Sequence, residues 1–290
     1  MNILLTGATG FIGTNFVLEL YKKYNIIALV RKTSDVSEIS KYCKIAYFSD
    51  DKDLDDVFEK NNIDGVVHMA TKWLSTHSFN DINNLVETNI TFGIKLLENC
   101  KKYNVNFFIN TSTFGSYCNS KEYRPASLYA ATKKAFEDII SFYSLTSACI
   151  FTNLLIFNVY GEHDKSVRLF KLLENLGDKE LKMSDGNQIV DYSHVYDVVN
   201  AFSLLIDLLI TNPILCKNKI FSLKGKERLC LREVVEKYEE KLGKKLDIKW
   251  GARPKRELEI VKPWEGGETL PNWEQTISLD KGFTMLIGKK

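Results

Sequence analysis

Residues 7–13 read Gly7-Ala8-Thr9-Gly10-Phe11-Ile12-Gly13, directly after the apolar run Asn2–Thr6 and at the opening of an amphipathic stretch. Glycines at these spacings permit a tight turn and let a backbone approach a pyrophosphate. The helix that follows offers free N–H groups and the positive end of its dipole. Gly13 lets that helix pack close to the strand. A glycine triplet alone also occurs in ordinary strand-to-helix turns; the strand–turn–helix context is what gives it meaning. Gly7, Thr9, Gly10, Phe11, Ile12 and Gly13 are therefore expected against a dinucleotide.

Working outward, short apolar runs alternate with amphipathic ones. Strands are expected at Asn2–Thr6, 26–30, Lys44–Phe48, 65–69, 106–110 and Ile150–Ile156, and helices at 11–24, 85–103 and 129–145. Such alternation predicts an α/β fold, a Rossmann-type doubly wound parallel sheet covered on both faces. From about residue 160 the pattern breaks into loops, a helix near Leu231–Leu242, a short strand near 247–249 and a tryptophan-rich tail. The expected division is a dinucleotide-binding domain over 1–160 that also receives 190–215. A smaller C-terminal substrate-binding lobe comprises 161–189 and 216–290, with Trp250, Trp264 and Trp273 as its core anchors.

Bulk properties narrow the function. The 290 residues are 44% hydrophobic and 26% charged with a net charge of +2, so no strongly basic face calls for nucleic acid. Six cysteines form no Cys-x-x-Cys pair, and four scattered histidines suggest no metal site. No apolar run reaches the roughly 18 residues of a membrane span. With no leader pattern at the start, a cytoplasmic location is expected.

The end of the second strand bears on the cofactor. An acidic residue there would hold the ribose hydroxyls of NAD. This chain has Arg31-Lys32 with Ser34 close by. A guanidinium matches a 2′-phosphate, which a carboxylate would repel. NADP(H) is favoured, with NAD(H) the alternative.

Tyr129-Ala130-Ala131-Thr132-Lys133 opens a helix, and i, i+4 spacing puts phenol and ammonium on one face. A nearby ammonium stabilises a phenolate, so the tyrosine is expected to exchange a proton near neutral pH. Asn110-Thr111-Ser112-Thr113 ends a strand where α/β clefts form, and a hydroxyl there can bond a carbonyl oxygen. Hydroxyl, tyrosine and lysine together suit hydride transfer at a carbonyl carbon. His68, inside an apolar strand, reads as structural.

These motifs, with His68-Met69-Ala70, Thr88-Asn89, Asn158-Val159-Tyr160-Gly161 and the run from Val190 to Asp197, resemble the extended short-chain dehydrogenases/reductases of the NAD-dependent epimerase/dehydratase family along nearly the whole chain. The resemblance implies that Thr113 occupies the catalytic serine/threonine place, with Ser112 the alternative, a substrate contact. It makes Tyr129 the proton donor or acceptor and gives Lys133 a further role on the nicotinamide ribose. Ala70 and Asn89 would lie along the cofactor, Asp50 at its adenine, and Asn158 at the substrate diphosphate. Where the family often has Arg-Asp this chain has Val190-Asp191, so Arg256, assisted by Arg168, is expected to take the diphosphate. Related dehydratases carry Asp-Glu after the catalytic threonine. Phe114-Gly115 stands there instead and cannot transfer protons, which argues against dehydration. The expected activity is reduction of a 4-keto-6-deoxy sugar on a nucleoside diphosphate. A 4-epimerase retaining NAD is the alternative, and a catalytically silent dinucleotide-binding protein the third reading. The resemblance also implies a homodimer through the helices at 85–103 and 129–145.

Overall fold

Asn2–Thr6 (β1) shows no polar–apolar alternation, and Ile3 to Thr6 are all buried. A strand buried on both faces belongs in the middle of a parallel sheet covered by helices, and β1 lies there. The fold is that of a computed structural model, which describes residues 1–166 and 168–288; positions 167, 289 and 290, inside the expected lobe, lie outside the described residues.

After β1 come α1 (Phe11–Leu20), β2 (Asn25–Arg31), β3 (Lys44–Phe48), α2 (Asp51–Asn61) and β4 (Gly65–His68). Next are α3 (Ile82–Val86), a π-helical turn at Glu87–Thr91, α4 (Phe92–Lys102), β5 (Phe107–Thr113), α5 (Leu128–Thr146) and β6 (Ile150–Ile156). The remainder holds β7 (Asn158–Tyr160), α6 (Leu169–Glu174), β8 (Leu181–Lys182), β9 (Ile189–His194) and α7 (Val195–Thr211). It closes with β10 (Ile220–Ser222), β11 (Arg228–Cys230), α8 (Leu231–Leu242), β12 (Ile248–Lys249) and α9 (Leu279–Ile287).

Seven strands form one sheet in the order β10-β6-β5-β4-β1-β2-β3, with every pairing parallel. One face packs under α1 and α7 through Phe16, Val17, Phe202 and Leu205. The other packs under α2, α4 and α5 through Phe58, Leu97 and Phe136. The winding direction reverses between β1 and β4, and at such a switch point the strand ends leave a crevice for ligand. The smaller lobe holds β9 between β7 and β11, the β8–β12 pair, and a core of Phe170, Val235, Tyr238 and Phe283.

Several boundaries differ from expectation, each for a local reason. β10 joins the main sheet beside β6, Ile220 opposite Asn153, although 216–290 had been assigned to the lobe. Three residues carry too little pattern to announce a strand; its partner exists only once β6 is in place. Trp273 likewise belongs to the main core, its Nε1 donating to the Asp197 carbonyl at 2.9 Å. The first helix stops at Leu20 rather than 24, because the Leu20 carbonyl accepts from both Lys23 and Tyr24 in a tightened turn that buries the Tyr24 ring. α2 was not anticipated, although Leu54, Val57 and Phe58 have helical spacing. The strand expected at 106–110 runs on to Thr113, which carries Ser112 and Thr113 to the crevice on ordered backbone.

Candidate active site

The glycine turn is built against the neighbouring strand end. Gly7 has φ +70°, and a Cβ there would sit 2.7 Å from the Ala70 nitrogen; a Cβ on Gly13 would sit 2.1 Å from the Gly7 carbonyl oxygen. Larger side chains would push the turn, the helix and the strand end apart. Gly10 precedes α1 and offers no side chain to cap its N–H groups, which leaves them for an anion. Thr9, Phe11, Ile12 and Ala70 line the same cleft. Thr6 staples the two strand ends: its hydroxyl oxygen accepts from the Met69 and Ala70 N–H groups at 3.2 and 3.1 Å and lies 2.8 Å from His68 Nδ1. Burial and the Lys133 charge push the imidazole well below its usual range, and because the Thr6 oxygen already accepts two N–H groups, its hydroxyl donates a hydrogen bond to Nδ1. The cradle fits a dinucleotide pyrophosphate.

Around the expected adenosine the residues separate. Arg31 and Ser34 line the cleft with Leu29, Phe48 and Phe92, but Lys32 is exposed and stands outside it. Asp50 is also outside: it caps α2, its Oδ1 accepting from Asp53 N at 2.8 Å, which corrects its expected place at the adenine. Asn89 is corrected too. Its Oδ1 accepts from Thr71 Oγ1 and Lys72 N at 3.0 and 2.7 Å, and its Nδ2 donates to Lys72 O and Thr132 Oγ1 at 3.1 and 3.0 Å. A side-chain amide so saturated has little left for a ligand; Asn89 is a strut between the 71–72 loop and α5.

Ser127 caps α5, its hydroxyl accepting from Ala130 N at 3.2 Å, and fixes where Tyr129 and Lys133 fall on the helix. The hydroxyls of Thr71 and Thr113 lie beside the Tyr129 phenol and favour its charged form. Thr113 Oγ1 accepts from Gly115 N at 3.2 Å, which leaves its own hydrogen free to be donated. Burial raises the Tyr129 phenol, while Thr71, Thr113 and the Arg168 charge pull it down. Arg168 thus adds a positive charge near the phenol that the Tyr129–Lys133 spacing alone did not announce. Lys133 is 2% exposed, and burial pushes its ammonium down to about 8 against the opposing carboxylate of Glu137. The Ser112 hydroxyl, expected on substrate, is committed to Glu137 Oε1 instead. Thr71 and Glu137 were not foreseen; their signals are adjacency to Ala70 and a second four-residue step along α5.

The lobe faces this wall with cations. Arg168, Arg253 and Arg256 line the cleft from exposed positions, and the Arg168 guanidinium lies 5.3 Å from the Trp73 ring centroid. Asn158 also lines it, with Nδ2 donating to the Asp191 carbonyl at 3.1 Å. Asp191 is buried under Arg228, whose Nε donates to it at 2.8 Å. The cleft measures about 1600 Å³, more than one small ligand requires. Among the described residues no three His, Cys, Asp or Glu side chains group to hold a metal, and no helix is long and apolar enough to cross a membrane.

The chain is similar in sequence and fold to known proteins. The model of the NAD dependent epimerase/dehydratase family matches residues 3–212. A CDP-abequose synthase of Salmonella muenchen is 26% identical over 297 residues, covering 99% of this chain and 97% of that protein. Another, of Salmonella typhimurium, is 30% identical over 216 residues, covering 71% of this chain and 70% of its own. The Thermus thermophilus UDP-glucose 4-epimerase, solved in complex with NAD, superposes with a TM-score of 0.84 at 22% identity over 99% of this chain and 98% of its own. The Bacillus cereus UDP-glucuronic acid 4-epimerase, in complex with UDP-glucuronic acid and NAD, does so with 0.83 at 24% identity and the same coverage. With the glycine cradle, the tyrosine–threonine contact and a family match over most of its length, the chain belongs to the NAD-dependent epimerase/dehydratase family.

Proposed function

We propose that the chain reduces the 4-keto group of a 6-deoxy sugar carried on a nucleoside diphosphate, with NADP(H) as cofactor. The carrying observation is the Tyr129–Thr113 contact followed by Phe114-Gly115. One proton donor and one oxygen-binding hydroxyl suffice for a carbonyl reduction, and no second acid–base pair follows Thr113 for eliminating water. A reduced nicotinamide bound beside this pair would supply the hydride. Tyr129 gives its proton to the sugar oxygen as negative charge develops there. Thr113, fixed by the Gly115 N–H, donates its hydrogen to the same oxygen. Lys133 holds the nicotinamide ribose. Arg256, Arg168 and Asn158 hold the diphosphate from the lobe. Alignment with CDP-abequose synthases, one of them along 99% of the chain, supports a nucleotide-linked sugar. Arg31 at the cleft supports a 2′-phosphate. Association with a second copy is proposed through α4 and α5, where Phe142 and Leu145 are 59% and 84% exposed.

The second reading, a 4-epimerase retaining NAD, draws on the place of Arg31. It stands alone at the cleft, since Lys32 lies outside, and an exposed single charge discriminates less than a pair. A turnover screen of CDP-, dTDP-, GDP- and UDP-linked 4-keto-6-deoxy sugars, read as loss of reduced-nicotinamide absorbance, tests the proposal. Consumption of NADPH with one of them is expected. Protein that purifies with non-dialysable NAD and interconverts 4-hydroxyl epimers would overturn it.

A further inference from the structure

The helix that carries Tyr129 and Lys133 has a third titratable residue on the same face. Tyr129, Lys133 and Glu137 follow at steps of four, so all three side chains stack along one side of α5. Lys133 is 2% and Glu137 4% exposed. Two opposite charges in one low-dielectric interior are a costly arrangement unless each serves the other. The mechanism above uses the lysine and gives the glutamate no task.

We propose that Glu137 is the buried counter-charge of Lys133 and a positioning residue for the reactive cluster: its carboxylate balances the ammonium and fastens the strand end that carries Thr113. Its two oxygens divide the work. Oε1 accepts the hydrogen of Ser112, the residue before Thr113 on β5. Oε2 has no hydrogen-bond partner among the described residues and lies 3.8 Å from the Lys134 ammonium. Glu137 borders a cavity of about 100 Å³ whose polar walls include Lys134, Ser141, Asn153 and Asn218.

Burial pushes the Glu137 carboxyl above its usual range and Asp138 adds to that, while Ser112 on β5 and Lys134 and Lys133 on its own helix favour the carboxylate. Across the β5 end, Tyr117 is held up in part by the Glu137 charge. For Lys133, burial pulls the ammonium down and Glu137 opposes that pull. Without the carboxylate, the lysine would lose its proton closer to neutral pH.

The first test needs no substrate and so does not depend on the reductase reading. Protein labelled with ¹³C at lysine Cε is titrated by NMR, and the Lys133 signal is assigned by its loss in Lys133→Met. In Glu137→Gln, which keeps the shape of the side chain, the Lys133 midpoint is expected to fall by about one pH unit or more. In Ser112→Ala, which breaks the strand contact and keeps the charge, it should stay in place. An unmoved midpoint in Glu137→Gln overturns the proposal. Should that variant not fold, the reciprocal measurement decides: in Lys133→Met the ¹³C-labelled Glu137 carboxyl should titrate at higher pH, and an unmoved carboxyl overturns the proposal equally. The second test is the pH profile of kcat/KM, whose alkaline limb should move with Lys133 in Glu137→Gln. A purely structural role would lower the rate at every pH alike. An NMR shift without turnover of any nucleotide sugar would sink the reductase reading and leave the counter-charge standing.

Discussion

The two walls of the cleft are built differently. On the sheet side Thr113 lines the cleft at 8% exposure, backed by Lys133 and Asn89, which are 2% and 1% exposed behind it. On the lobe side Arg168, Arg253 and Arg256 reach into the cleft from exposed positions. Buried groups with satisfied partners hold their geometry before a ligand arrives, which is what proton and hydride transfer require. Exposed arginines are screened and adaptable, which suits recognition of a diphosphate. Damage to the sheet wall should therefore appear in kcat, and damage to the lobe wall in KM.

The largest test of that contrast is Tyr129→Phe. The ring remains and only the acidic hydrogen is lost, so kcat should fall about 10²–10⁴-fold with cofactor affinity nearly unchanged. Near wild-type turnover would show that the sheet wall does not hold the proton donor. Arg256→Ala probes the other wall. Affinity for the nucleotide sugar should fall about tenfold and kcat little, because an exposed charge-assisted contact is discounted by solvent. Calorimetry that finds unchanged substrate affinity would place the diphosphate elsewhere.

Arg31 sits on the sheet side yet is exposed like the lobe arginines, so it sharpens the comparison. Arg31→Asp should erase a preference for NADPH over NADH of about tenfold, read as the ratio of the two kcat/KM values. A wild type that already prefers NADH would mark Arg31 as a surface charge. The mildest effect concerns pH. Lys133 loses its proton around pH 8, while burial keeps the Tyr129 proton in place to higher pH. Reduction consumes a protonated tyrosine beside a charged lysine, so kcat/KM should be about halved near pH 8 and decline further on the alkaline side. A profile flat to pH 10 would remove Lys133 from the rate.

Local patterns carried most of the architecture. β1 and β6 announce themselves in five and seven residues, because a parallel strand buried on both faces must be apolar throughout, and the glycine turn follows directly on β1. Misreadings came where position was visible and bonding was not. Asn89 and Ser112 lie in the right motifs, but their polar atoms are taken by Thr71, Lys72 and Thr132 in one case and by Glu137 in the other. Asp50 lies one residue before a helix whose short apolar face went unrecognised, so its capping role stayed hidden.

By itself the sequence determined the doubly wound class, the phosphate cradle and the tyrosine–lysine spacing, since each depends on residues close in the chain and on fixed strand and helix periods. Tertiary structure decided the rest. It placed β10 at the sheet edge, brought Thr71 and Thr113 to the Tyr129 hydroxyl, set the Arg168 charge near that phenol, and put Glu137 beside Ser112. These contacts join residues tens of positions apart, and hydrogen-bond valence and burial, which govern their chemistry, come into being only when the chain is folded.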